Sequence, residues 1–103
     1  MKQIISDKDQ KALADLRQSI DAADLRIIDL INQRTALAQD IGDIKRRNGL
    51  PVYAPEREQQ VLQNIELYNT GGIFPQAELK AVFRLLMQGS KKAQDTANKQ
   101  LEH

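Results

Sequence analysis

The stretch LADLRQSIDAADLRIIDLINQRTALAQDIGDIK, residues 13–45, decides the fold. Its apolar residues fall at Leu13, Leu16, Ile20, Ala23, Ile27 and Leu30, and again at Leu37, Ile41 and Ile44. Steps that alternate between three and four residues lay these side chains along one stripe of an α-helix, the stripe by which a helix packs on other helices. The stripe skips one position, between Leu30 and Leu37, and Arg34 stands there. A guanidinium on a packing seam is costly unless something anionic meets it. Arg34 is therefore either a device that fixes helix register or a place where an anion binds.

Upstream of this stretch, Ser6 is a suitable N-cap, with Asp7 and Asp9 opposing the helix dipole in the first turn. Downstream, Lys45-Arg46-Arg47 are cations suited to a helix C-terminus, Asn48-Gly49 supplies a left-handed stop, and Pro51 forbids continuation. The pattern predicts one helix over residues 6–47. At 1.5 Å per residue its length is ~60 Å. A compact domain of this size has a radius of gyration near ~13 Å. Such a rod would overhang its own domain while its apolar stripe runs along the whole length, which implies a homodimer in which each long helix covers the other.

A second helix is predicted over 54–69, with Pro55 at its first turn and Val61, Leu62, Ile65 and Tyr68 on its buried face. Ala54, at the N-cap, offers no side-chain acceptor. Asn69-Thr70-Gly71-Gly72 ends this helix. A third is predicted over 75–97, with Leu79, Val82, Phe83, Leu86 and Met87 at helical spacing, then the polar Ser90 and Gln94 on the same face. Past Gln94 the polar tail is expected to fray. No strand-like alternation is present. The expectation is an all-α, single-domain chain of three helices spanning residues 1–103, paired as an intertwined homodimer.

Composition excludes several function classes. Fifteen Lys and Arg against fourteen Asp and Glu leave a net charge of +1, no field for nucleic acid or an anionic membrane. Cysteine is absent, so there is neither a disulfide framework nor a thiolate metal site. The first residues lack the apolar run of a signal peptide, and no stretch reaches the ~20 apolar residues of a membrane span. The expected setting is cytoplasmic. Leu101-Glu102-His103 reads as the start of a vector-encoded tag, which takes the only histidine out of any mechanism. No metal and no cofactor are expected.

Polar residues on otherwise apolar faces remain to be placed. Lys45 lies eleven residues beyond Arg34, three turns, so both point within about 20° of one direction and sit ~16 Å apart. Two long cations leaning together can grip a small, doubly negative ligand. Arg17 lies about 100° around the helix from Arg34 and ~25 Å away, within reach only of a partner's pocket. Taken singly, Lys45 also reads as a dipole-compensating cation, Arg57-Glu58 as an ordinary helix start, and Ser90 and Gln94 as a helix leaving the core. Taken together, five departures from an otherwise regular pattern favour one shared polar pocket.

The ordered set Leu16-Arg17-Gln18-Ser19-Ile20-Asp21 with Asp24, Leu30-Ile31-Asn32-Gln33-Arg34, Ile41-Gly42-Asp43-Ile44-Lys45, Pro51-Val52, Arg57-Glu58 and Ser90-Lys91-Lys92-Ala93-Gln94 resembles the all-helical class of chorismate mutase. The resemblance covers about residues 13–95. It implies an intertwined dimer whose sites each hold Arg34, Lys45, Ala54, Arg57, Glu58, Ser90 and Gln94 from one chain and Arg17 from the other. It further implies the pericyclic rearrangement of chorismate, a small dianion, to prephenate on the route to phenylalanine and tyrosine. Arg17 and Arg34 would bind the carboxylates with Arg57 and Ser90 in support. Lys45 and the Gln94 amide would donate to the ether oxygen, and Glu58 would accept from the hydroxyl.

Many members carry an acidic residue where Ala54 stands. The Ala54-Pro55-Glu56-Arg57 run is also similar to the related isochorismate-pyruvate lyases, in which the Glu58 position tends to be apolar, so Glu58 favours the mutase. A reading of a different class is a non-catalytic dimeric helical interaction module with Arg34 as its specificity device.

Overall fold

The computed structural model describes residues 4–101, and these form three helices: α1 (Asp7–Arg47), α2 (Pro55–Tyr68) and α3 (Gln76–Leu101). No strand occurs among the described residues. Met1-Lys2-Gln3 and the Glu102-His103 end of the expected tag lie outside them.

Helix α1 begins where a side chain can satisfy its first amides. The Ser6 Oγ accepts from the Asp9 amide at 3.1 Å, and the Ser6 carbonyl accepts from Gln10 at 2.9 Å. The end of α1 is a Schellman motif. The Leu50 amide donates to the Lys45 carbonyl at 2.8 Å and the Gly49 amide to Arg46 at 3.2 Å, with Gly49 at φ 65°. Asn48 adds its side-chain amide to the Ile44 carbonyl at 2.8 Å. Lys45 thus sits in the last turn of α1, its carbonyl tied down and its side chain left for other work.

The chain divides into two compact units, residues 1–33 and 34–103. In the first, the helical stripe is uncovered within one chain: Leu16 is 62% exposed and Leu30 61%. In the second, α2 and the first half of α3 bring Val61, Leu62, Ile65, Leu79, Phe83, Leu86 and Met87 into half-buried positions. Ion pairs set the register of these two helices. Lys80 meets Glu66 at 2.9 Å and Lys91 meets Glu58 at 2.6 Å, so residue numbers fall on α2 as they rise on α3, and the helices are antiparallel. The connection is held by Asn69, whose Nδ2 donates to the Phe74 carbonyl at 3.0 Å and to Gln76 Oε1 at 3.2 Å, and by Gln76 Nε2, which donates to the Glu66 carbonyl at 2.9 Å.

Helix α3 continues to Leu101 without fraying at Gln94. The polar residues of its last turns have partners that local sequence does not reveal. Asn98 Oδ1 accepts from Arg46 on α1 at 2.8 Å, and Thr96 bonds back to the Lys92 carbonyl at 3.1 Å. The pairs Asp43–Gln94 and Arg46–Asn98 rise together, so the end of α1 and the end of α3 run in the same sense. No hydrophobic residue among those described is fully buried in the single chain, and no helix is long and apolar enough to cross a membrane.

A Cβ at Gly49 meets no neighbour, so Gly49→Ala isolates the cost of the left-handed backbone. Urea denaturation is expected to show a loss of about 1–2 kcal/mol.

Candidate active site

A cavity of about 290 Å³ lies within the 34–103 unit, near the lower end of the range for small-ligand sites. Helix α1 supplies Arg34 and Lys45 with Leu37 and Ile41 between them. The α1–α2 connection supplies Val52 and Ala54. Helix α2 adds Arg57, Glu58 and Val61, and α3 adds Met87, Ser90, Lys91 and Gln94. Seven of the eight residues predicted for the site therefore line one cavity. The eighth, Arg17, lies in the 1–33 unit, exposed, and does not line it.

Lys45 and Arg57 are each steered by a hydrogen bond. Arg34 and Lys45 are both half-buried on α1, and the three-turn spacing brings both to the cavity wall. Lys45 Nζ donates to the Val52 carbonyl at 3.4 Å, a long contact that leaves its other protons available. Arg57 is exposed in the first turn of α2 and is steered by a 2.7 Å bond to Gln60 Oε1. Ala54 forms the α2 N-cap with no side-chain cap bond, while its carbonyl accepts from Arg57 and Glu58 at 3.1 and 3.2 Å.

Lys91 has no role in the sequence reading beyond its place in the Ser90–Gln94 run. Here it lines the cavity, pairs with Glu58 at 2.6 Å and stands 4.4 Å from the centre of the Tyr53 ring. No local signal could have disclosed this, because Glu58 lies on another helix. Arg34, Lys45, Arg57 and Lys91 against the single carboxylate of Glu58 give the cavity an excess of positive charge, suited to an anion bearing more than one negative group.

Ser90 (9% exposed) and Gln94 (6%) are the buried polar side chains among the described residues. The Gln94 amide lies directly against α1 at Gly42. A Cβ on Gly42 would fall 2.8 Å from Gln94 Cδ and 2.9 Å from Oε1. The sequence reading quotes Gly42 within a motif but gives it no role of its own, and here it is where α3 comes against α1. Its signal was a glycine inside an uninterrupted helical pattern, which costs about 1 kcal/mol relative to alanine and calls for a packing reason. Gln94 Nε2 donates to Asp43 Oδ1 at 3.4 Å and to Asn98 Oδ1 at 3.2 Å. Its Oε1 is buried with no hydrogen-bond partner.

Four cations, a buried amide and hydroxyl and an apolar lining equip the cavity to hold an anion and stabilise charge within it. The family model for chorismate mutase type II matches residues 16–95, most of the chain. The chain belongs to that family. It is 34% identical over 83 residues to a chorismate mutase of Methanocaldococcus jannaschii, covering 80% of this chain and 83% of that one. It is 41% identical over 75 residues to a bifunctional chorismate mutase/prephenate dehydratase of Aquifex aeolicus, covering 70% of this chain. The match spans only 21% of that relative's length, and a match to the Haemophilus influenzae T-protein spans 14%. Among solved structures, a chorismate mutase of Thermus thermophilus superposes with a TM-score of 0.73 at 30% identity, covering 77% of this chain and 98% of the other.

The crowding at Gly42 is with the flexible end of Gln94, and alanine favours the helix by about 1 kcal/mol. Gly42→Ala is therefore expected to leave thermal stability nearly unchanged while displacing the Gln94 amide, which a crystal structure of the variant would show.

Proposed function

We propose that this chain is a chorismate mutase, an isomerase converting chorismate to prephenate by an intramolecular pericyclic rearrangement on the route to phenylalanine and tyrosine, in the cytoplasm. The observation that carries this reading is the gathering of Arg34, Lys45, Arg57, Ser90 and Gln94 around one cavity in a chain of the type II family. The reaction forms one C–C bond as one C–O bond breaks within a single molecule. It needs no nucleophile and no external acid or base. What it needs is a substrate held in its reactive chair conformation and positive or donor groups at the ether oxygen, where negative charge grows in the transition state.

In the proposed arrangement Arg34 takes one carboxylate, in fork geometry where alignment allows, with Arg57 and the Ser90 hydroxyl in support. Lys45 and the Gln94 amide donate to the ether oxygen. Glu58 accepts from the ring hydroxyl, and the α2 N-terminus at Ala54 adds backbone amides. The second carboxylate falls to Arg17 of a partner subunit. An intertwined homodimer is supported by the exposed stripe from Leu13 to Ile44, including Leu16 and Leu30, which needs a cover of like kind. The uncapped start of α2 at Ala54 keeps isochorismate-pyruvate lyase as the second reading.

The deciding measurement is the loss of chorismate absorbance with purified protein, with Arg34→Ala as control. Turnover that disappears in the variant upholds the mutase. An inactive wild-type protein would direct the assay to isochorismate, and inactivity there, with Arg34→Met well tolerated, would favour a helical interaction module. Lys45→Ala is expected to lower kcat by ~10²–10³ without unfolding the chain. Mixing inactive Arg17→Ala with inactive Arg34→Ala should restore activity, because each heterodimer regains one complete site. Statistical exchange would return roughly a quarter of the wild-type rate, and no recovery would exclude a site shared between subunits.

A further inference from the structure

Four hydrogen bonds close a ring around the end of Gln94. Arg46 donates from one guanidinium nitrogen to Asn98 Oδ1 at 2.8 Å and from the other to Asp43 Oδ1 at 3.2 Å. The Gln94 Nε2 donates to the same two oxygens, at 3.2 and 3.4 Å. Two acceptors are thereby held in place by one cation, and both face the nitrogen end of the amide. Turning the amide over would set its carbonyl oxygen against a carboxylate and a carbonyl, three acceptors with no proton between them. The amide also lies against the α1 backbone at Gly42. The buried Oε1 has no partner that could fix the orientation from the other end.

We propose that Asp43 and Asn98, clamped by Arg46, are positioning residues that fix which end of the Gln94 amide is presented in the cavity. This inference rests on the mutase reading for its chemistry, because that reading requires an N–H of Gln94 at the ether oxygen. The ring holds the nitrogen by two long bonds. On ligand binding one N–H exchanges its ring acceptor for a hydrogen bond to the ether oxygen while the other stays on the ring, so the nitrogen is still held on one side as charge develops. Arg46 balances the Asp43 carboxylate, which would otherwise oppose negative charge at the reacting oxygen. None of the three side chains lines the cavity, so each acts through Gln94.

The test uses the full-length protein in two measurements. In nitrogen–proton spectra, the Gln94 side-chain signals are identified by their loss in Gln94→Ala. Asn98→Ala and Asp43→Ala are expected to shift these signals and speed their exchange with water, whereas Asn98→Asp, which keeps an acceptor oxygen, preserves them. In the chorismate assay, the two alanine variants are expected to lose about 10–100-fold in kcat with KM nearly unchanged. They should lose nothing further in a Gln94→Ala background. Unperturbed amide signals in both alanine variants overturn the proposal, as does an equal kcat loss with and without Gln94. A wild-type protein inert toward chorismate but with the expected spectral changes would remove the mutase reading and leave the positioning ring standing.

Discussion

The Gln94 amide resting on the α1 backbone at Gly42 is the contact on which the cavity depends. It brings an α3 side chain against α1 with no β-carbon between them, and so places the Ser90–Gln94 turn opposite Arg34 and Lys45. Asn98 and Arg46 extend the same junction by one turn and keep α3 helical through residues that look too polar to stay ordered. Leaving a buried carbonyl oxygen without a donor costs about 1–3 kcal/mol.

A second constraint is the shortage of core. Among the described residues no hydrophobic side chain is fully buried within one chain, and the stripe that defines α1 stands open. Hydrophobic burial is the main favourable term in folding, and the proposed association would supply what one chain lacks. In the proposed homodimer the surface that gives stability and the surface that delivers Arg17 are the same, so folding, assembly and activity would rise and fall together with protomer concentration.

The charge pattern explains how the cavity keeps its cations apart. Arg34 and Lys45 are separated by three turns of one helix, Arg57 is drawn aside by Gln60, and Lys91 is held by Glu58 and the Tyr53 ring. Lys45, Arg57 and Lys91 are each braced by a different neighbour, so these cations do not need a ligand to keep them apart. The excess positive charge is then available to a dianion. Glu58 serves two purposes here, compensating Lys91 and remaining at the cavity wall as an acceptor.

Much of this was legible along the chain. The three-and-four spacing from Leu13 to Ile44, the Ser6 cap and the Asn48-Gly49-Leu50 stop define α1 because helix formation depends on neighbours within four residues. The odd position of Arg34, and of Lys45 three turns on, was visible for the same reason. Contacts between helices have no such local signature. The bonding of Asn98 to Arg46, the pairing of Lys91 with Glu58 and the close approach of Gln94 to Gly42 join residues roughly 30 to 50 positions apart. By itself, the sequence determined the helices and which residues were out of place on them, since periodicity is a property of one segment. Only the tertiary structure decided what those residues face, since hydrogen bonds and ion pairs depend on distances across the packed helices, and one-dimensional spacing does not encode those distances.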